Sequence, residues 1–460
     1  MMRLKMGMAG GRFHGDLVEA RSIRSNTSMG RGCVFAAACI VAFSGCVQAR
    51  NAVSPETQRA QRITVNPQFK EAVAAFGREH EVFVQDLITL TQIPAPPFGE
   101  KERGQYYLRR LTEAGLESVA MDAEGNTMGL LRGRRHGALL AVAAHLDTVF
   151  PTGTDVNVRR DGTTLRAPGV TDDTHGLALI LAMLRAMRAA HLQPENDILF
   201  VGDVGEEGPG NLRGMRYLFN QGSYKSRIGK FIAIDGPAPD NSITNTGLGV
   251  RRFEVTFKGP GGHSWADFGV VNPAFALGGA LARLSQLEVP AIPKVSYSVG
   301  VVSGGTSVNS IPFETRMQVD MRSSAPDELA KVEAALRSSV AAAVAQENAT
   351  RSTAKGKIEA DIQLVGDRPG GVVPVDSPIL RQLAATLASF GKQPVYDTES
   401  TDANIPISLG IPAFVMSGGS KKTGGRAHSL EEWAEVDKDE DVRNFALSLA
   451  IILTVAAQPI

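Results

Sequence analysis

The hydrophobic rhythm of the chain changes several times, and each change marks a boundary. An apolar run from Cys33 to Cys46 lies behind Arg31, and a polar stretch follows from Arg50 to Pro67. Apolar positions then recur at helical spacing from Glu71 to Gln92, until Pro94-Ala95-Pro96-Pro97 ends the pattern. Further on, strand-like runs at Ala138 to Ala144, Ile198 to Gly202 and Phe231 to Ile234 alternate with a helical pattern over Leu177 to Ala190. This alternation predicts an α/β domain with a mainly parallel sheet. Between Gly247 and Val365 the order becomes strand (Arg252 to Lys258), helix (Pro273 to Leu287), strand (Val295 to Val302), strand (Glu314 to Met321), helix (Asp327 to Gln346) and strand (Lys357 to Leu364). That β-α-β-β-α-β series is the ferredoxin-like order and predicts a compact inserted domain. The expected organisation is a leader over 1–49, a linker over 50–67, an α/β domain in two parts (68–246 and 366–460) and the insert over 247–365.

Composition narrows the partners. A chain of 460 residues with 43% hydrophobic content can bury more than one core. Its 48 basic and 48 acidic side chains cancel, so no overall field favours nucleic acid or an anionic membrane surface. The three cysteines, Cys33, Cys39 and Cys46, all lie in the N-terminal apolar run, so neither disulfides nor cysteine-ligated zinc builds the fold. That run is too short to span a bilayer as a helix and has the form of a signal-peptide core. Phe43-Ser44-Gly45-Cys46 resembles a lipobox, which would place a lipid anchor on Cys46, whereas Val47-Gln48-Ala49 offers an ordinary cleavage site. Met29 would open a conventional signal peptide if it were the start. Each reading makes the protein exported, either periplasmic or lipid-anchored in a bacterial cell envelope.

The chemistry-bearing residues fall at the ends of the predicted elements. His145 and Asp147, in AAHLDTVFP, close a buried-type strand, and residues two apart on a strand face the same side. Asp172 and Asp173 stand immediately before a helix, where one of them could equally be an N-cap. Glu206 and Glu207 follow the strand ending at Gly202; such a pair can divide labour, one binding metal and the other accepting a proton. Asp235 follows another apolar strand, and His428 is the late imidazole. Metal sites need imidazole and carboxylate donors gathered at loop ends with a position left open for water.

Taken together these motifs resemble the cocatalytic dizinc hydrolases that include carboxypeptidase G, tripeptide aminopeptidase, aminoacylase, acetylornithine deacetylase and succinyl-diaminopimelate desuccinylase, from about residue 80 to the C-terminus. The resemblance implies a phosphorylase/hydrolase-like α/β zinc-peptidase domain with the insert as a dimerisation lid. It implies two zinc ions, with cobalt or manganese as substitutes: one held by His145, Asp172 and Asp235, the other by Asp172, Glu207 and His428. Asp147 would orient His145, and Glu206 would be the general base. The peptide bond from Asp172 to Asp173 is a candidate cis bond. His263 in Gly261-Gly262-His263-Ser264 matches a histidine that helps polarise the scissile carbonyl, in many relatives across a homodimer. Asn309 and Arg368 match substrate-holding positions, while Thr398 to Asn404 and Gly418-Gly419 match active-site loops. Relatives commonly have lysine and a small residue after the aspartate pair; Thr174 and His175 stand there instead, and His175 is either a pH-sensitive contact near the metals or a helix-start residue.

The implied reaction is hydrolysis of a peptide bond in short peptides, with deacylation of N-acyl amino acids as the alternative on the same site. A serine hydrolase is disfavoured because Gly262-His263-Ser264-Trp265-Ala266 lacks the last glycine of a nucleophile elbow, and His-Glu-x-x-His is absent. A non-catalytic exported binding protein would be marked by loss of a ligand or of the base, and none is lost.

Overall fold

The computed structural model describes residues 53–418 and 425–459; the expected leader with its three cysteines, and Gly419, lie outside the described residues. At the centre of a nine-stranded sheet, Asn196–Asp203, Arg135–His145, Ile228–Ile234 and Ala413–Met416 run parallel in that order. Leu139 to Ala144 are all buried, as a strand covered on both faces requires. Helices Thr174–Ala189 and Lys438–Ala456 pack against this strand. The four parallel strands end together, which brings His145, Asp203, Asp235 and Gly418 to one edge.

The sheet as a whole is mixed rather than mainly parallel. Glu117–Met121 and Thr127–Leu131 extend one side antiparallel. Ser242–Gly247 extends the other, antiparallel to Ala413–Met416, and itself pairs with Val395–Glu399 and Gly371–Val372. These outer strands are short and partly polar, as in ESVAM and SITNTG, so they present no continuous apolar run.

The expected linker over 50–67 contains a helix, Pro55–Val65, capped by Ser54 accepting from the backbone N–H of Thr57. Its sequence is polar apart from a narrow contact stripe; Ala60 is buried, and Arg59 donates to Gln382 on helix Pro378–Ser389. The single helix expected from Glu71 to Gln92 is two, Pro67–Arg78 and His80–Thr91, divided at Glu79. Phe76 on the first of these stacks on Phe445 of the C-terminal helix, with ring centroids 4.1 Å apart and planes 3° from parallel.

The insert forms its own antiparallel four-stranded sheet in the order Val295–Gly304, Glu314–Ser323, Gly249–Lys258, Glu359–Arg368. Helices Pro273–Leu284 and Pro326–Thr350 cover one face and enclose a separate core around Phe253, Val255, Phe257, Met317 and Leu336. Side-chain alternation puts Val250, Arg252, Asp320 and Arg322 on the opposite face.

Phe445→Ala should lower unfolding free energy by about 3–5 kcal/mol in urea denaturation, because a fully buried ring and its stacked partner are lost together. A loss below about 1 kcal/mol would show that the N-terminal helices do not depend on this contact.

Candidate metal centre

His145 ends its strand with Nδ1 donating to the backbone carbonyl of Asp147 at 2.9 Å, which turns Nε2 into the cavity. There Nε2 lies 2.9 Å from Asp172 Oδ1 and 3.7 Å from Asp235 Oδ1. From the other side, His428 Nε2 lies 3.2 Å from Asp172 Oδ2 and 3.0 Å from Glu207 Oε1. Asp172 thus offers one carboxylate oxygen to each imidazole. Two donor groups result, His145 with Asp172 and Asp235, and Asp172 with Glu207 and His428; within each, the donor atoms lie within 4.8 Å of one another. His145, Glu206 and Glu207 form a third grouping of the same kind.

Backbone hydrogen bonds hold these side chains in place. The Asp172–Asp173 peptide is cis. Of this acidic pair, Asp173 is the cap: it accepts from the N–H of Gly176 at the start of the helix and from the N–H of His145. The carboxylate of Asp147 accepts from the N–H groups of Glu206 and Glu207 at 3.0 and 2.9 Å and lies 3.7 Å from His145 Nδ1, so it ties two strand ends together. Glu432, which sequence reasoning missed, is buried and accepts from the backbone of Gly169, Thr171 and Asp172 and from the Thr171 hydroxyl. Its neighbour Glu431 is exposed; nothing in the local sequence distinguishes the two.

Charge at this edge is concentrated. Burial works against a proton on His145, but Asp172 and Asp235 outweigh it and raise its pKa well above the usual value. Asp172 and Glu207 raise His428 to about 10. Burial pushes Glu206 well up, against the pull of Arg368. Arg368 donates through Nη1 to Glu206 Oε1 at 3.0 Å and to the Ser400 carbonyl, and through Nη2 to the backbone carbonyl of Glu206. The cluster of carboxylates therefore demands positive charge, and both imidazoles are drawn into supplying it. Two divalent cations fit the donor set, since imidazole nitrogens and carboxylate oxygens are the ligands such ions take.

The cavity of about 610 Å³ is lined by Asp172, Glu206, Glu207, Asp235, His428 and Arg368. Glu399, Ser400 and Thr401 of the expected loop also reach it, as do Val250, Arg252 and Arg322 from the insert. The last two were not anticipated, because strand periodicity does not say which face looks toward the site. His263 and Asn309 lie elsewhere. They are exposed neighbours on the insert, joined by the Ser264 N–H donating to the Asn309 carbonyl at 3.0 Å, and neither lines this cavity. His175 is buried with its ring edge against Phe83, 5.3 Å between centroids, and neither ring nitrogen has a hydrogen-bond partner.

A mixed sheet whose parallel strand ends carry two acid-and-imidazole groups sharing one carboxylate, joined to a separate antiparallel unit, is an α/β architecture with a candidate metal site. Residues 141–453 match the family described as Peptidase family M20/M25/M40, and the chain belongs to that family. The N-acetylcysteine deacetylase of Bacillus subtilis is 25% identical over 252 residues, a stretch that covers 51% of this chain and 63% of that protein. Among solved structures, an aminopeptidase PepT from Bacillus cereus superposes with a TM-score of 0.66 at 19% identity, over 82% of this chain and 99% of that one. A dinuclear metal-binding peptidase of the M20 family from Bacillus subtilis does so with a TM-score of 0.60 at 20% identity, over the same shares of the two chains.

Burial lowers the pKa of His175 from 6.5 to about 4. The unfolded chain then binds the extra proton first, so stability is lost as pH falls from about 6.5 toward 4, by up to about 3 kcal/mol. His175→Leu should remove that part of the acid destabilisation, measured as the difference between the two proteins' urea midpoints at pH 7 and pH 4. Parallel pH dependences in the two proteins would contradict the assignment.

Proposed function

We propose that the protein is a two-zinc amidohydrolase that cuts the peptide bond of short peptides. The observation that carries this reading is the Asp172 carboxylate, divided between two histidine-containing groups with Glu206 beside them. His145, Asp172 and Asp235 would hold one ion, and Asp172, Glu207 and His428 the other; cobalt or manganese suits the same donors. Such ions, when bound, polarise a carbonyl oxygen and lower the pKa of a bound water.

Proton movement falls to Glu206. Its Oε1 is held by Arg368, while Oε2 accepts no hydrogen bond from a described residue and is free to take the proton of the attacking water. Burial raises its proton affinity, so the acid formed can hold that proton and return it to the leaving nitrogen. Asp147 keeps the base in register through the backbone of Glu206 and Glu207 and accompanies the His145 imidazole.

The family description and the peptidases that share the fold support a peptidase; the deacetylase relative supports N-acyl amino acids as the second reading. His263 and Asn309 would serve the cavity of a second copy in a homodimer formed through the insert. Their exposure on one chain, beside the exposed Trp265 and Val308, favours this arrangement. The N-terminal apolar run favours an exported enzyme.

Glu206→Gln should keep bound metal but lose about 10²–10⁴-fold in turnover on a panel of dipeptides, tripeptides and N-acyl amino acids. Near-normal turnover would remove Glu206 from the mechanism, and the substrates cut by the parent protein decide between peptidase and deacylase. Light scattering should show a dimer; a monomer at all concentrations would contradict the shared-site arrangement.

A further inference from the structure

At the edge of the central sheet opposite the metal centre, arginines gather that the reaction proposed above leaves unused. Arg135 begins the strand that His145 ends, so the 11 residues of that strand, roughly 33 Å, separate the two places. Here a cavity of about 750 Å³ is lined by Arg59 and Arg62 from helix Pro55–Val65, by Arg134 and Arg135, and by a single acid, Glu195. Ile63 and Leu192 add apolar lining.

Glu195 does not balance four guanidinium groups. It meets Arg135 Nε at 3.0 Å and lies 4.0 Å from Arg134 Nη1. The Arg62 side chain has no hydrogen bond or ion pair with any described residue, and Arg59 donates only to the neutral amide of Gln382. Glu56 lies near Arg59 but pairs with Arg381. Three residues apart on one helix, Arg59 and Arg62 are neighbours, and burial together with Arg62 lowers the pKa of Arg59. Like charges this close call for an anion from outside. The last carbonyls of the C-terminal helix, which would repel one, are already taken: Lys230 donates to Val455 and Gln458, and Asn196 to Ala456.

We propose that this face docks on the surface of an anionic phospholipid bilayer, with a headgroup phosphate entering the cavity between the arginines. The charges of the chain cancel overall, so attraction to such a surface has to come from a local excess, and this cavity supplies one. Guanidinium groups beside apolar side chains suit an amphiphile better than a free inorganic anion. Chain length adds to the case. Helix Pro55–Val65 starts nine residues after Cys46, so a lipid on that cysteine would hold the helix within about 30 Å of the bilayer. Docked this way, the protein turns its metal centre away from the lipid and toward soluble substrates. The tether rests on the lipobox reading of Cys46, whereas the arginine face does not.

The test uses the full chain carrying Cys46→Ser, so that no lipid anchor contributes. Its binding to phosphatidylcholine vesicles with and without phosphatidylglycerol is measured by co-sedimentation, beside a form that also carries Arg62→Gln and Arg134→Gln. Neither of these side chains makes a hydrogen bond with a described residue, and circular dichroism verifies that both forms are folded. The first form should prefer the phosphatidylglycerol vesicles, and the preference should fade with added salt. The two glutamine replacements should weaken binding about tenfold to thirtyfold, whereas Arg62→Lys with Arg134→Lys should keep most of it, since the charge remains. Binding through the apolar leader would depend neither on lipid charge nor on these arginines.

Inorganic phosphate separates the two sources of the anion. At matched ionic strength it should release the protein from the vesicles more effectively than chloride, because it competes for the cavity; equal release would take the headgroup out of the cavity. Calorimetric binding of phosphate that is lost with the glutamine replacements, without any preference for phosphatidylglycerol vesicles, would make this a site for a soluble anion and overturn the membrane proposal. Equal binding to both kinds of vesicle, or binding unchanged by the replacements, would overturn it as well.

Discussion

Burying several carboxylates in one cavity requires compensating positive charge, and the architecture of the site follows from that requirement. Asp172 is the member on which the others depend, because its two oxygens face two different imidazoles. Lost pairing in such a buried cluster typically costs about 3–5 kcal/mol. Here the cost would fall on both donor groups at once. A site built on one shared acid is therefore more fragile than two independent sites, and it sets the two donor groups side by side.

The surrounding structure reads as a set of devices for holding that acid. The parallel strands deliver His145 and Asp235 from one edge, and the cap formed by Asp173 fixes the start of the helix behind Asp172. Glu432 anchors the approach to Asp172 from the C-terminal side of the chain, and Asp147 links the strand that carries His145 to the loop that carries Glu206 and Glu207. None of these anchoring groups needs to touch a substrate. The insert contributes differently: its own core makes it a separate unit, and only one edge of its polar face reaches the cavity.

Much of this was legible in the chain because the signals are local. His145, Asp172, Glu207 and Asp235 each follow an apolar run or precede a helix, and His428 completes the set; the structure brings all five to one edge. The ferredoxin-like order of the insert was equally plain, since each of its elements carries its own periodicity. Less could be read where the deciding contact is distant. The helix Pro55–Val65 looked like linker because its stabilising partners lie on helices more than three hundred residues away. Glu432 and Arg322 look like any charged residue on a loop or strand until the fold supplies their partners. Arg368 illustrates a further limit. Its type suited a carboxylate, but the carboxylate it meets here is that of Glu206.

Whether Asp172 serves two cation positions at once is read from metal content per chain, by plasma mass spectrometry after zinc loading and desalting. The parent protein should retain two ions, Glu207→Ala one, and Asp172→Ala fewer than one, with all three folded by circular dichroism. A parent that retains no more than one ion, or an Asp172→Ala variant that retains two, would contradict it.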